Sequence, residues 1–188
     1  MPFPFKTLPP KARRNLFLLS LVATVVLWLA LSSFDQPLRT EAAPNGIVSF
    51  ELAGSPAASA AILASWSNDR ARAAAGLSLG IDYLFLVSYS VLLALTVSFV
   101  AERIRPVVAC VTLVGLPVAW LQFAAGALDA VENVALIRLL LGSSSSALPG
   151  VARTAALIKF GLVGAGFAYI LIVALWLAGA RIFRGKTS

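Results

Sequence analysis

The chain has 188 residues, of which 60% are hydrophobic and 12% charged, and its mean hydropathy is +0.91. A soluble domain of this length has no core large enough to hide so much apolar surface, so the sequence reads as an integral membrane protein. It has no histidine and one cysteine, which excludes a bis-histidine haem, histidine-based zinc, copper or non-haem iron, and a dithiol pair; no cofactor is expected.

Four apolar windows, near 15–34, 76–101, 107–141 and 152–180, have the roughly 20 residues that a helix needs to cross a hydrocarbon core of about 30 Å. None alternates as barrel strands do. The expected fold is an all-α integral membrane protein over 1–188, a single four-transmembrane-helix bundle. Helices two to four protrude into a small extracytoplasmic cap, which includes a loop over 35–68 with a short helix.

The first window follows the basic stretch "PFPFKTLPPKARR" and resembles a secretory signal. Its apolar run is longer than the about 7–15 residues of a cleavable signal, and "DQPLRTEAAP" offers only a late, poor cleavage site. It reads as a retained first span.

The net charge of +7 orients the chain. Lys6, Lys11, Arg13 and Arg14 precede span one, Arg103 and Arg105 separate spans two and three, and Arg181, Arg184 and Lys186 follow span four. On the other side Arg39, Arg70, Arg72 and Arg153 are diluted by Asp35, Glu41, Glu51 and Asp69. The positive-inside rule therefore makes both termini cytoplasmic, in a cell (inner) membrane. Such basicity suits anionic lipid and is no argument for nucleic acid.

Within the loop, "GIVSFELAG" alternates Val48, Phe50 and Leu52 with Ser49, Glu51 and Ala53, which predicts a short extended segment. "SPAASAAILASW" predicts about three turns of helix, with Ser55 as N-cap and Pro56 at the first helical position. Its Ile62, Leu63 and Trp66 form an apolar edge for the membrane interface or the span ends. Span two starts early, at a cap on Asn68 or Asp69. Pro106 marks the start of span three, Pro117 predicts a kink inside it, and Cys110 reads as a small buried hydrophobe. "GSSSSALPG" is a turn between spans three and four, and Gly161, Gly164 and Gly166 in span four suit close helix approach.

The polar residues repay a count of depth. About 20 residues from each arginine-marked cytoplasmic end reach the outer hydrocarbon boundary. Counting back from Glu102 arrives at Asp82, forward from Pro106 at Gly126 beside Asp129, and back from Arg181 at Gly161 beside Lys159. Three helices thus bring charge to one level. On span three, Gln122, Gly126, Asp129 and Asn133 share a helical face with Glu132 beside it; on span two, Ser78, Asp82, Phe85 and Tyr89 share another, with Tyr83 adjacent. Ionisable groups at such depth face the protein interior and mark either a polar lock between helices or a binding site. Glu51 is placed either over this cluster or in solvent. Trp28, Trp120 and Trp176 read as packing or interfacial anchors, Arg138 as solvated, and Tyr89 and Tyr169 as core aromatics.

The combination of "GIVSFELAGS", "AAILASW", "GIDYLFLVSYS" and "AGALDAVENVALIRLL" resembles an uncharacterised family of small bacterial four-span membrane proteins, with an SFELAG loop motif and an LDxxEN third-span motif, over roughly residues 46–141. The resemblance matches Glu51, Trp66, Asp82, Tyr89, Asp129, Glu132 and Asn133 to those motifs and implies no activity.

Three functions compete on this sequence. The first is a non-enzymatic protein that binds a lipid, a hydrophobic small molecule or a partner subunit through the cluster Asp82, Tyr83, Tyr89, Asp129, Glu132, Asn133 and Lys159, with Glu51 and Trp66 from the loop. The second is a proton-coupled transporter, opposed by the lack of a polar stripe through the cytoplasmic half. The third is an intramembrane acid/base or Mg/Ca-dependent enzyme, which the carboxylates permit but no nucleophile motif supports. The expected partners are membrane lipids, a larger membrane complex or further copies of the chain.

Overall fold

The computed structural model describes residues 2–105 and 109–184. It is 82% helix, with no strand among the described residues. Four long apolar helices dominate: α1 Pro10–Asp35, α4 Asp69–Ile104, α5 Ala109–Leu140 and α6 Leu148–Arg184. Two short ones lie between the first two of these, α2 Ile47–Glu51 and α3 Pro56–Ser65. All four long helices have the length and apolarity to cross a membrane. At about 1.5 Å per residue the 36 residues of α4 extend about 54 Å, well beyond a hydrocarbon core of about 30 Å, so a polar end has room outside it.

The caps form where the side chains allow them. Ser55 Oγ accepts from Ala58 N–H at 3.2 Å and Pro56 opens α3, while Asn68 Oδ1 accepts from Ala71 N–H at 2.8 Å and starts α4. Pro117 lies inside α5, which runs on past it. Pro106 and Lys186 lie outside the described residues.

The segment expected to be extended is the helix α2 instead. Asp35, at the end of α1, reaches across with Oδ1 to accept Ile47 N–H at 2.8 Å, and Ser49 Oγ accepts Asn45 N–H at 3.0 Å. Gly46 precedes the helix at φ +55°, where a Cβ would run into the Asp35 carboxylate. Once helical, the segment turns Ile47, Phe50 and Glu51 inward and Val48 outward.

Helix α4 is the central element, in contact with α1, α5 and α6. Of its apolar stretch 56% is buried, against 6% for α1, so α1 lies at the edge and turns most of its surface outward. Among the contacts that fasten α1 to α4, Phe17 meets Phe99 edge to face at 5.7 Å, Arg13 pairs with Glu102 at 2.8 Å and lies over the Phe99 ring at 4.5 Å, and Thr24 donates to Ser88 at 3.1 Å. Between α5 and α6 the amide of Gln122, fully buried, donates to the carbonyls of Val118 at 3.1 Å and Leu162 at 3.2 Å.

The loop over 35–68 packs as a small core on the ends of α4 and α5. Leu38, Phe50, Ile62 and Trp66 close with Leu79 and Leu136. The Trp66 indole N–H donates to the Leu38 carbonyl at 2.8 Å, and its ring meets Phe50 at 5.3 Å. The apolar edge of α3 therefore rests on the helix ends.

Two expectations fail on helix rotation. Cys110 is exposed, because Thr112 takes the inward position and donates to the Ala101 carbonyl at 3.2 Å. Gly161 and Gly164 face open space, and only Gly166 makes a close approach, against Gln122. Helices α4 and α5 come close at Gly126, where a Cβ would strike Ser90 Oγ, and at Gly115, where it would meet Ala101 Cβ.

Candidate functional site

Helices α4, α5 and α6 and the loop helix α2 each bring charge to one place. Lys159 of α6 donates to Asp129 Oδ1 at 2.8 Å, and the hydroxyl of Tyr89 on α4 donates to Asp129 Oδ2 at 2.9 Å. The spacing of three and four along α5 puts Glu132 and Asn133 beside Asp129. Lys159 Nζ also stands 2.8 Å from Glu132 Oε2 and 3.8 Å from Glu51 Oε2. Asn133 Nδ2 donates to Asp82 Oδ2 at 2.6 Å. Asp129, Glu132, Asn133 and Lys159 are all buried.

The two halves of this cluster are unequally satisfied. Asp129 has two donors, one on each oxygen. The Lys159 ammonium stands against Glu132 as an ion pair without a hydrogen bond, and among the described residues both Glu132 oxygens and Glu51 Oε2 are buried without a hydrogen-bond partner. Burial pushes the Glu51 carboxyl above its ordinary value, against the pull of Lys159 and of its contact with the Glu132 side chain.

Two sequence candidates stand apart from the cluster. Tyr83 donates to the Ala130 carbonyl at 3.5 Å, a long bond to backbone that leaves the carboxylates alone. Trp66 is fully buried within the loop core. Its indole holds the cap together through Leu38 and Phe50.

A cleft of about 220 Å³ opens beside the cluster, between α1, α2 and the start of α4. Glu51, Ser78, Asp82 and Asn133 give it a polar lining, Trp28, Leu31, Val48 and Leu79 an apolar one, and Asp35 and Arg39 complete it. Arg39 Nε donates to Asp35 at 3.0 Å, and the Arg39 side chain is 65% exposed. Two larger hollows, of about 340 Å³ beside Leu63 and Arg72 and about 310 Å³ beside Phe3 and Lys6, reach none of the clustered carboxylates. Among the described residues no group of three or more acidic or sulfur ligands is arranged to hold a metal ion.

Sequence reasoning missed Asp35, Arg39 and Trp28 as parts of this site. The spacing of four between Asp35 and Arg39 was the available signal for their pairing. Nothing local shows that Asp35 also caps α2.

No family model, curated protein or solved structure matches this chain.

Proposed function

We propose that the chain is a non-enzymatic membrane protein that binds an amphiphile, taking its polar headgroup into the cleft beside Asp82. The observation that carries this reading is the joining of two linings in one opening: Trp28 and Leu31 on one side, Glu51, Asp82 and Asn133 on the other. A molecule with an apolar part and a polar end satisfies both at once. The volume of about 220 Å³ is below the roughly 300–1,000 Å³ of ordinary ligand sites, so a headgroup enters while acyl chains lie along α1.

The bias of basic residues puts both termini in the cytoplasm and the loop on the outer side of a bacterial inner membrane. The headgroup then comes from the outer leaflet. Within the cluster the labour divides. Lys159, Asp129 and Tyr89 satisfy one another and fix three helices, while Asp82, Asn133 and Glu51 face the opening.

Native mass spectrometry of the protein released from lipid nanodiscs tests this. The wild type is expected to retain lipid, and Val48→Trp, which narrows the cleft from an exposed position, is expected to lose it. Equal retention by the two proteins would overturn the reading.

A further inference from the structure

We propose that the headgroup taken by this cleft is a primary ammonium carried on a phosphate, the headgroup of an aminophospholipid. This rests on the reading of the cleft as an amphiphile site and adds the chemistry of the ligand.

Charge is the first argument. Glu51, Asp82, Asp129 and Glu132 bring four carboxyl groups to one place, and among the described residues Lys159 is the single ammonium there. Taking several like charges out of water is costly unless cations accompany them. Lys159 fully serves only Asp129.

Unanswered acceptors are the second argument. Glu51, which lines the cleft, has its Oε2 buried without a hydrogen-bond partner among the described residues. Asn133 donates its amide N–H to Asp82, which turns its carbonyl oxygen into a further acceptor. The one positively charged donor in this lining among the described residues, Arg39, is paired with Asp35, so Glu51, Asp82 and Asn133 have no cationic donor of their own in the cleft. An anionic headgroup would add repulsion, and a neutral polyol would bring no positive charge to the carboxyl groups.

The third argument separates primary from quaternary ammonium. Acceptor oxygens reward N–H groups, of which a trimethylammonium has none, and recognition of that group by aromatic faces needs a cage. Here, among the described residues, Trp28 is the one aromatic side chain lining the cleft. The exposed guanidinium of Arg39, at the same opening, is placed to meet the phosphate that follows the ammonium along such a lipid.

The experiment uses the full chain in nanodiscs of phosphatidylcholine doped with either phosphatidylethanolamine or phosphatidylglycerol, with retained lipid read by native mass spectrometry. Phosphatidylethanolamine is expected to be retained about tenfold over each of the others. Asp82→Asn is expected to remove that preference and Asp82→Glu to restore it. If phosphatidylglycerol or phosphatidylcholine is retained as well as phosphatidylethanolamine, yet Val48→Trp still blocks retention, the ammonium assignment is overturned and the cleft stands. If Val48→Trp changes nothing, the cleft itself is wrong and this inference falls with it. A preference that survives in the Asp82→Asn, Glu51→Gln double variant also overturns the assignment.

Discussion

Lys159 Nζ lies 2.8 Å from Asp129 Oδ1 and 2.8 Å from Glu132 Oε2, yet only the first contact is a hydrogen bond. The two acids, one turn apart on α5, therefore have opposite energetic standing. Removing the lysine strands both. Lys159→Met is expected to lower stability by about 3–5 kcal/mol, the range for breaking a buried ion pair from one side. Thermal unfolding in detergent measures it, and a loss within error of zero would contradict the pairing.

Glu132 should respond in the other direction. Its oxygens have no hydrogen-bond partner, so replacing a poorly served buried charge with a neutral isostere relieves more than it removes. Glu132→Gln is expected to unfold at or above the wild-type temperature. A marked drop would mean that the approach of Lys159 to Glu132 is net stabilising, and would overturn this reading of the pair.

Tyr89 supplies the second donor to Asp129, at 2.9 Å. Tyr89→Phe keeps the ring and removes the hydroxyl alone. The expected cost is about 1.5–3 kcal/mol, as for a hydrogen bond to a charged group. In the Asp129→Asn background the same change should cost visibly less, and a double-mutant cycle reads that coupling.

Glu51 makes the docking of α2 sensitive to pH. Its carboxyl, when docked, sits above the ordinary glutamate value of 4.5, so the docked state binds more protons than the undocked one. Docking is then strongest below that ordinary value and weakens as pH rises from it toward the raised one. Amide exchange over residues 45–54 is expected to quicken from acid to mildly alkaline pH. In Glu51→Gln the pH dependence of the protection should shrink, once the intrinsic exchange rate is allowed for.

Glycines on two helices should part company. Gly126→Ala pushes a Cβ against Ser90 Oγ and the Leu86 carbonyl, and overpacking of this kind costs about 1–3 kcal/mol. Gly161 has nothing within 4 Å. There alanine is expected to be neutral or to stabilise by about 0.5–1 kcal/mol, through helix preference. Thermal unfolding of the two variants side by side decides it.

How much of this was legible in the sequence follows from what each feature depends on. The long helices depend on runs of apolar residues, and the caps at Ser55 and Asn68 on short local patterns, so both could be read directly. The meeting of Asp82, Asp129, Glu132 and Lys159 emerged from counting depth, since a helix has a fixed rise. The five-residue α2 did not, because a helix so short is set by tertiary partners: the carboxylate of Asp35 and the burial of Phe50 decide against the alternation of "VSFELA". The rotation of each helix was likewise hidden where apolar residues surround it on every side. That is why the exposure of Cys110, the outward Gly161 and Gly164, and the pairing of Arg13 with Glu102 came only from the structure.

Asp35 closes α1, and its carboxylate holds the first amide of α2, whose last residue is Glu51. One turn of helix thus links the end of the outermost span to the buried acids, so the place of Glu51 beside Lys159, 3.8 Å away, depends on where α1 ends.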